Sequence, residues 1–425
     1  MPDVLYIEPC NFEDFPMGGQ PSFARQMVHT FGSRLALVGI STDETPVGRW
    51  VKRAFGGHTC EFLSIGRCSK SPRKPLVPWR IHTYVNLRRY REEILSIGTR
   101  AVFIRAAEVL LATQKWGWEN VCFYFPGLES PLRMPRYRWA KTFQRVFDSC
   151  FLSALQSANL VLAAADRPAI REFASKARGR IREESIISFP THADTDIFHP
   201  ADQTQARERL GIPKDVPVFV TVGRLNRRKG WELLLESFRL LSVSREDAHL
   251  YLVGEGEDKP LIERKIQELA LAERVHITGY LDAPQIAVHL NAADVFVLAS
   301  FFEGWPTAMV EALATGKAIV STSVGAAADL IEIGKNGYIV DRREARLFCE
   351  AMVQALSLNA REHSLQKARP YALDGLAEDL GKLWPPLRPR PEAPPVPSPT
   401  RLHGGCPPES VSLSERVSLA RKCCH

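Results

Sequence analysis

Short runs of Val, Ile, Leu and Phe recur along the chain. Between them lie longer stretches in which apolar residues return every three or four positions. In the first half the runs are VLYIE (4–8), RLALVGIS (34–41), AVFIRA (101–106), VCFYF (121–125), LVLAAA (160–165) and SIISFP (185–190). A helical pattern follows Gly18-Gly19 over 20–31, and another covers 138–158. The second half is more regular. Strand runs at 218–223, 250–254, 275–279, 295–300, 318–323 and 338–340 alternate with helical patterns at 230–241, 257–272, 284–291, 307–315 and 326–333. The runs are nearly continuous in apolar residues, as in strands covered on both faces. Their alternation with helices predicts parallel strands joined by crossover helices. The expected class is α/β, with a doubly wound parallel sheet in each half.

Pro190, Pro200 and Pro213 interrupt both patterns and mark the join. The expected domains are therefore 1–190 and 191–384. Ten of the 30 prolines fall in 385–425, where large apolar residues are few, so a disordered tail is expected there.

The 425 residues are 45% hydrophobic and 24% charged, which excludes wholesale disorder and collagen-like repeats. No apolar run reaches the roughly 18 residues that span a bilayer. The start lacks a basic region followed by a long apolar core, so no secretory signal is expected. The nine cysteines contain no C-x-x-C pair and suggest a reducing, cytoplasmic setting. The net charge of +7 is concentrated: residues 67–105 hold ten Lys and Arg against two acids, with Trp79, Tyr84 and Tyr90 among them. This stretch is either a surface for an anionic membrane or acceptor, or a solvated basic face.

Ligands of open parallel sheets bind beyond the carboxyl ends of the strands. In the second half those ends carry Gly223-Arg224, Gly279-Tyr280 and Ser300 to Glu303. Arg224 and Lys229 bracket one strand-to-helix loop and could grip a diphosphate. Glu303 and Glu311 flank the start of a helix opened by Pro306, where carboxylates suit vicinal sugar hydroxyls. The bland readings are solvated loop cations and helix-dipole complements. Asp194-Thr195-Asp196 fits a turn or cap better than a metal site, which needs further oxygen ligands. His29 and His276 fall on structural patterns. GEGEDKP lacks the third glycine of a dinucleotide fingerprint, and GRLNRRKG lacks phosphate-loop spacing.

The ordered blocks FPTHADTDIFHP (189–200), VGRLNRRKGWELLLESF (222–238), LVGEGEDKPLIERKIQEL (252–269), VHITGYL (275–281) and FEGWPTAMVEALATGKAIVSTSVGAAADLI (302–331) resemble the retaining glycosyltransferases of family 4, the glycosyl transferases group 1. In the first half, 103–112 and 123–141 are similar to bacterial surface-polysaccharide members. The resemblance implies GT-B architecture: two Rossmann-like domains facing across a cleft. It implies a nucleotide-sugar donor on the second domain and a glycan or lipid-linked saccharide as acceptor. Arg224 and Lys229 would hold the diphosphate, and Glu311 the ribose. Glu303, with Gly304, Trp305, Pro306 and Thr307, would face the donor sugar. Gly279 and Tyr280 would lie beside the base, and Gly18 and Gly19 would approach the phosphates when the cleft closes. Arg224, Lys229 and Glu303 would be the catalytic residues, with no bound metal or other cofactor.

Three departures from the family pattern stand out. Phe125-Pro126-Gly127 occupies the region where many members carry a cleft histidine. Thr191-His192 replaces an Asn-Gly, and Trp305-Pro306 a commoner Phe-Gly-x-Pro. Alternatives are a catalytically weak nucleotide-sugar-binding partner, or another GT-B enzyme such as a sugar-nucleotide epimerase. The donor motifs argue against nucleic acid as a partner.

Overall fold

The computed structural model describes residues 1–389 except 17–18, 71–76, 129–137 and 178, and leaves out the side chains of 19, 20 and 138. Met1–Arg388 form one compact unit. Within it the first lobe runs β1 (Val4–Ile7), α1 (Gly19–Phe31), β2 (Leu35–Ser41), β3 (Trp50–Phe55), β4 (His58–Arg67), α2 (Trp79–Arg89), α3 (Arg91–Leu95), β5 (Ala101–Ile104), α4 (Ala107–Thr113), β6 (Asn120–Phe125), α5 (Gln144–Leu155), β7 (Leu160–Ala163), α6 (Arg167–Lys176) and β8 (Ile186–Ser188). Its eight strands lie in the order β3-β4-β2-β1-β5-β6-β7-β8. Every neighbouring pair is parallel except the β3–β4 hairpin.

The second lobe runs α7 (Gln203–Leu210), β9 (Val218–Val222), α8 (Trp231–Ser244), β10 (His249–Val253), α9 (Lys259–Glu268), β11 (Val275–Gly279), α10 (Ala283–Ala292), β12 (Val295–Leu298), α11 (Thr307–Ala314), β13 (Ala318–Thr322), α12 (Ala327–Leu330), β14 (Gly337–Val340), α13 (Ala345–Ala355), α14 (Arg361–Ala368) and α15 (Leu376–Leu383). Its six-stranded sheet, β11-β10-β9-β12-β13-β14, is wholly parallel. The expected α/β class with two doubly wound sheets is what the chain forms.

Local sequence explains the element starts. Asp282 accepts from the Gln285 amide while the Gln285 side chain accepts from the Asp282 amide, and Pro284 sits in the first turn of α10. Asp166 and Asp202 cap α6 and α7, their side chains accepting from the amides of Ala169 and Gln205. β1, β5 and β12 are buried at all positions because helices cover both sheet faces.

The chain crosses between lobes twice. Phe189–Ala193 leads out, and Tyr371–Leu373 leads back. The crossings are hydrogen-bonded to each other: Ala193 N donates to Tyr371 O at 2.8 Å and Leu373 N to Ala193 O at 2.9 Å. After the return, Trp384 packs against Phe103 at 5.9 Å between ring centroids, and Arg34 donates to the carbonyls of Pro386 and Arg388. One apolar cluster therefore runs from Val4 through Phe189 and Ala193 to Met309 and Leu387. Two expectations change. The end of the 191–384 segment packs on the first lobe, because Leu376, Leu380 and Trp384 complete that lobe's core. The segment after 385 opens with a 3-10 turn, Pro385–Leu387, whose Leu387 is fully buried. Residues 390–425 of the expected tail lie outside the described residues.

Candidate functional site

The strand ends of the second lobe converge on a loop pair. Past β9, Arg227–Lys229 form a 3-10 turn that Gly230 ends in a left-handed conformation (φ 64°) before α8. A Cβ on Gly230 would lie 1.8 Å from the Ala299 carbonyl oxygen, so only glycine lets this loop press onto the end of β12. The close approach sets Lys229 beside Glu303. Lys229 Nζ donates to Glu303 Oε1 at 2.6 Å, and Ser300 Oγ donates to the same oxygen at 2.6 Å. Arg224 stands on the open side of the loop, its Nε donating to Glu257 Oε2 at 2.8 Å with both side chains about half exposed. These cations are therefore at hand for an anion, each with a carboxylate partner that an anion would displace.

Glu311 lies in the second turn of α11. Burial pushes its carboxyl up to about 7, with the Arg25 charge of α1 pulling the other way. It makes no hydrogen bond among the described residues. Its desolvated carboxylate costs free energy unless a ligand supplies donors. Gly279 ends β11 at φ 75°, and Tyr280 beside it is 49% exposed. Gly19 begins α1, while Gly18 lies outside the described residues.

The lobes meet at Gly304. A Cβ there would fall 2.3 Å from Ala164 O, 3.3 Å from Gly127 Cα and 3.4 Å from Pro126 O of the first lobe. Gly325 backs this loop from behind: Ala326 N donates to Gly304 O at 3.3 Å. Alongside opens a cavity of about 990 Å3. Phe302, Trp305 and Thr307 line it from the second lobe. Strand ends and helices of the first lobe supply most of the remaining wall, including Glu8, Arg105 and Phe125. Arg224, Lys229, Gly279, Tyr280, Glu303 and Glu311 do not line it. The loop 302–307 thus divides a cation-bearing edge from a large first-lobe cavity.

Trp305 and Thr191, which both line this cavity, each leave a buried polar atom without a hydrogen-bond partner. Trp305 is 8% exposed, packs edge-on against Tyr371 at 5.2 Å, and leaves its indole Nε1 unpaired. Thr191 is 9% exposed and its Oγ1 is likewise unpaired. Among the described residues no histidine lines the cavity, in keeping with Phe125-Pro126-Gly127 at that strand end. His192 is turned away: its Nε2 faces Asp379 Oδ2 at 3.3 Å, and burial lowers its pKa against the pull of that carboxylate.

Sequence reasoning missed a buried charge cluster in the first lobe. Tyr6 Oη donates to Glu8 Oε2 at 3.3 Å, and the Arg105 guanidinium stacks 4.2 Å above Phe23 and 5.2 Å from Tyr124. Burial opposes the Arg105 charge, but Glu8 and the tyrosines outweigh it and raise its pKa. The signal was available: Glu8 and Arg105 directly follow β1 and β5, at the ligand edge.

The basic stretch 67–105 is less uniform than its composition implies. Arg105 is buried, while Arg67, Lys70 and Arg80 pair with Glu44, Asp14 and Glu108. Its exposed cations gather around α2 and α3. Arg73 and Lys74 lie outside the described residues. Asp194-Thr195-Asp196 forms a turn in which Asp194 Oδ1 accepts from Asp196 N at 3.1 Å. Among the described residues no group of three or more side chains could hold a metal ion. No described helix is long and apolar enough to cross a membrane.

Comparison with known proteins adds the following. Residues 202–370 match the family model for glycosyl transferases group 1. A D-inositol 3-phosphate glycosyltransferase of Corynebacterium urealyticum is 29% identical over 219 residues, 48% of this chain and 52% of that protein. A putative teichuronic acid biosynthesis glycosyltransferase of Bacillus subtilis is 31% identical over 233 residues, 54% of this chain and 53% of that protein. The chain spans about half the length of the curated relatives it matches. Sucrose-phosphate synthase from Thermosynechococcus elongatus superposes with a TM-score of 0.73 at 18% identity, over 89% of this chain and 97% of that one. Anabaena HepE in complex with UDP and glucose superposes with a TM-score of 0.67 at 16% identity, over 90% and 100%. These likenesses show a GT-B fold over nearly the whole described chain.

Proposed function

We propose, from the match of residues 202–370 to the glycosyl transferases group 1, that the chain transfers a sugar from a nucleotide-diphosphate sugar to an acceptor with retention of anomeric configuration. The observation that carries this reading is the loop 302–307. It joins the Lys229–Glu303 pair on one side to the 990 Å3 first-lobe cavity on the other. A donor on the second lobe would then present its sugar to an acceptor in that cavity.

On this reading the diphosphate takes Lys229 from Glu303 and Arg224 from Glu257. As the bond to the sugar breaks, charge builds on the leaving phosphate, and both cations stabilise it more than they stabilise the bound donor. Glu303, released from Lys229, keeps the Ser300 hydroxyl and turns its free oxygen to sugar hydroxyls. Glu311 accepts from the ribose hydroxyls, and Gly279-Tyr280 borders the base. The sugar passes through an oxocarbenium-like state, and a donor phosphate oxygen takes the acceptor's proton. No metal is needed, because the two cations and nearby helix starts supply the positive field. The apolar walls and charged rim of the cavity suit a glycan or lipid-linked saccharide, and the α2 side of the first lobe suits an anionic membrane surface.

A thermal-shift panel of uridine, guanosine and adenosine diphosphate sugars tests donor binding, since ligation of the native state raises its melting temperature. At least one donor is expected to stabilise the protein, and Lys229→Ala to lose most of that shift. No shift with any donor would overturn the reading. Donor binding without release of nucleoside diphosphate to any saccharide would favour a binding partner.

A further inference from the structure

One wall of the 990 Å3 cavity is built where β6 ends. Phe123 and Phe125 lie two positions apart and so share one face of the strand. Their rings meet edge to face at 4.8 Å. Phe151 of α5 packs against both, at 5.4 and 5.7 Å, and Phe173 of α6 packs against Phe125 at 5.3 Å. All four rings line the cavity. Phe302 and Trp305 line it too, so the aromatic lining reaches the loop that carries Glu303. Such a wall offers ring faces and edges to a further apolar group, and no hydrogen bonds.

Charge on the lining points the same way. Among the described residues four carboxylates, Glu8, Glu108, Asp148 and Glu172, line the cavity against three cations, Arg80, Arg105 and Lys176. Each cation has a carboxylate beside it. Arg80 donates to Glu108 at 2.7 Å, and Lys176 pairs with Glu172. Burial opposes the Arg105 charge, but Glu8 raises its pKa. Glu108 and Glu8 are 6% and 2% exposed. A phosphate that drew Arg80 or Arg105 away would leave a buried carboxylate uncompensated. The donor edge differs, because Arg224 would leave Glu257 half exposed to water. Gln26 is engaged as well, its Nε2 donating to the His192 carbonyl at 2.7 Å. A glycan buried here would need partners for a hydroxyl on most ring carbons, and the phenylalanine wall supplies none.

We propose that the cavity receives an uncharged, apolar aglycone of the acceptor, with the hydroxyl to be glycosylated held at the loop 302–307. The inference rests on the transferase reading and narrows it: a saccharide linked to an apolar group fits, and one linked through a diphosphate does not. In the transfer the acceptor oxygen bonds to the anomeric carbon as that carbon's bond to the diphosphate breaks. The acceptor proton goes to the departing phosphate, and a nucleoside diphosphate leaves. A cavity of this volume holds a compact ring system whole.

The test is isothermal titration of the full chain, alone and with each nucleoside diphosphate, using two matched pairs of probes. Naphthyl glucoside should bind about 100-fold more tightly than methyl glucoside, since only the ring system is added. Naphthol should bind about tenfold more tightly than naphthyl phosphate, in which only charge is added. E108Q/E172Q removes two acids with little change of shape and should raise naphthyl phosphate affinity about tenfold, with naphthol unchanged. Phe173→Ser should weaken naphthyl glucoside about tenfold. Melting temperature and the donor-induced thermal shift verify that each variant folds, and the wild-type pairs decide the matter if one does not. Equal binding of the two glucosides, or naphthyl phosphate binding the wild type as tightly as naphthol, would overturn the proposal. The transferase reading would survive that result, because the donor-induced shift reports on it separately. Tight naphthyl glucoside binding with no shift from any donor would overturn the transferase reading, and the acceptor role of the cavity with it. With a donor that does shift the protein, naphthyl glucoside should speed release of nucleoside diphosphate more than methyl glucoside at equal low concentration; the reverse order would overturn the proposal.

Discussion

Glu311 offers a test in which stability and binding move in opposite directions. Its carboxyl titrates near 7 in the folded protein, against 4.5 for the free group. Below 4.5 it is protonated whether the chain is folded or not, and costs nothing. As pH rises from 4.5 to 7 the unfolded chain gives up the proton while the folded one retains it, so stability falls. Above 7 the cost is constant. The interval corresponds to about 3 kcal/mol at full size. Glu311→Gln does not titrate and should recover that amount. For a cooperative unit of the size of Met1–Arg388, this is roughly 4 °C in melting temperature. The measurement is thermal unfolding of both proteins from pH 4 to 8, with and without a nucleotide-diphosphate sugar. The gain should vanish at pH 4 and plateau above 7. Added donor should stabilise the variant less than the wild type, because a charge-assisted hydrogen bond to ribose, about 1.5–3 kcal/mol, is lost. A variant that melts at or below the wild-type temperature at pH 8, or a gain that does not change with pH, would refute the burial account of this residue.

Other consequences can be checked in the same way. Gly304→Ala needs its Cβ moved about 1 Å farther from Ala164 O, so the lobes must part; release of nucleoside diphosphate to acceptor should fall about 100-fold while the donor-induced thermal shift persists. Trp305→Phe keeps an aromatic ring against Tyr371 but removes an unpaired N–H; if that N–H serves substrate, KM should rise about five- to tenfold with no loss of melting temperature. His276 and His289 pack on Tyr251, His249 stacks on His276, and burial lowers the pKa of each. The unfolded chain then binds protons first, so stability should fall as pH drops below about 6.5, a slope that H249N/H276N should reduce in pH-dependent melting.

The sheets were legible because both faces of every central strand are covered, which turns period-two alternation into continuous apolar runs such as VFVL at 295–298. The second-lobe edge was legible for a related reason: Gly223-Arg224, Gly279-Tyr280 and Ser300 to Glu303 all end such runs. α2 was not legible as a helix. Its exposed face is apolar and its buried face small, so composition registered only the arginines. The Lys229–Glu303 pair and the contact of Gly304 with Ala164 were hidden too, since each joins residues more than 70 positions apart. Glu8 and Arg105 obeyed the strand-end rule but stood in the half where motifs were weaker. The return of Trp384 to the first lobe was invisible because a lone tryptophan among prolines has no periodicity.

The hydrogen-bonded pair of crossings, Phe189–Ala193 and Tyr371–Leu373, has a mechanical consequence. Two tethers pinned together at one place act as a door hinge. They permit swinging about their shared line and resist sliding or twisting of one leaf over the other. The contact of Gly304 with Ala164 would then be the latch, made and broken as the leaf swings. The hinge also makes the first leaf a discontinuous object, assembled from the opening 190 residues and a closing segment contributed about 180 residues later. Exchange of that leaf between relatives would have to carry both pieces, because a graft cut only at the outbound crossing leaves Leu376, Leu380 and Trp384 of one parent against the core of another.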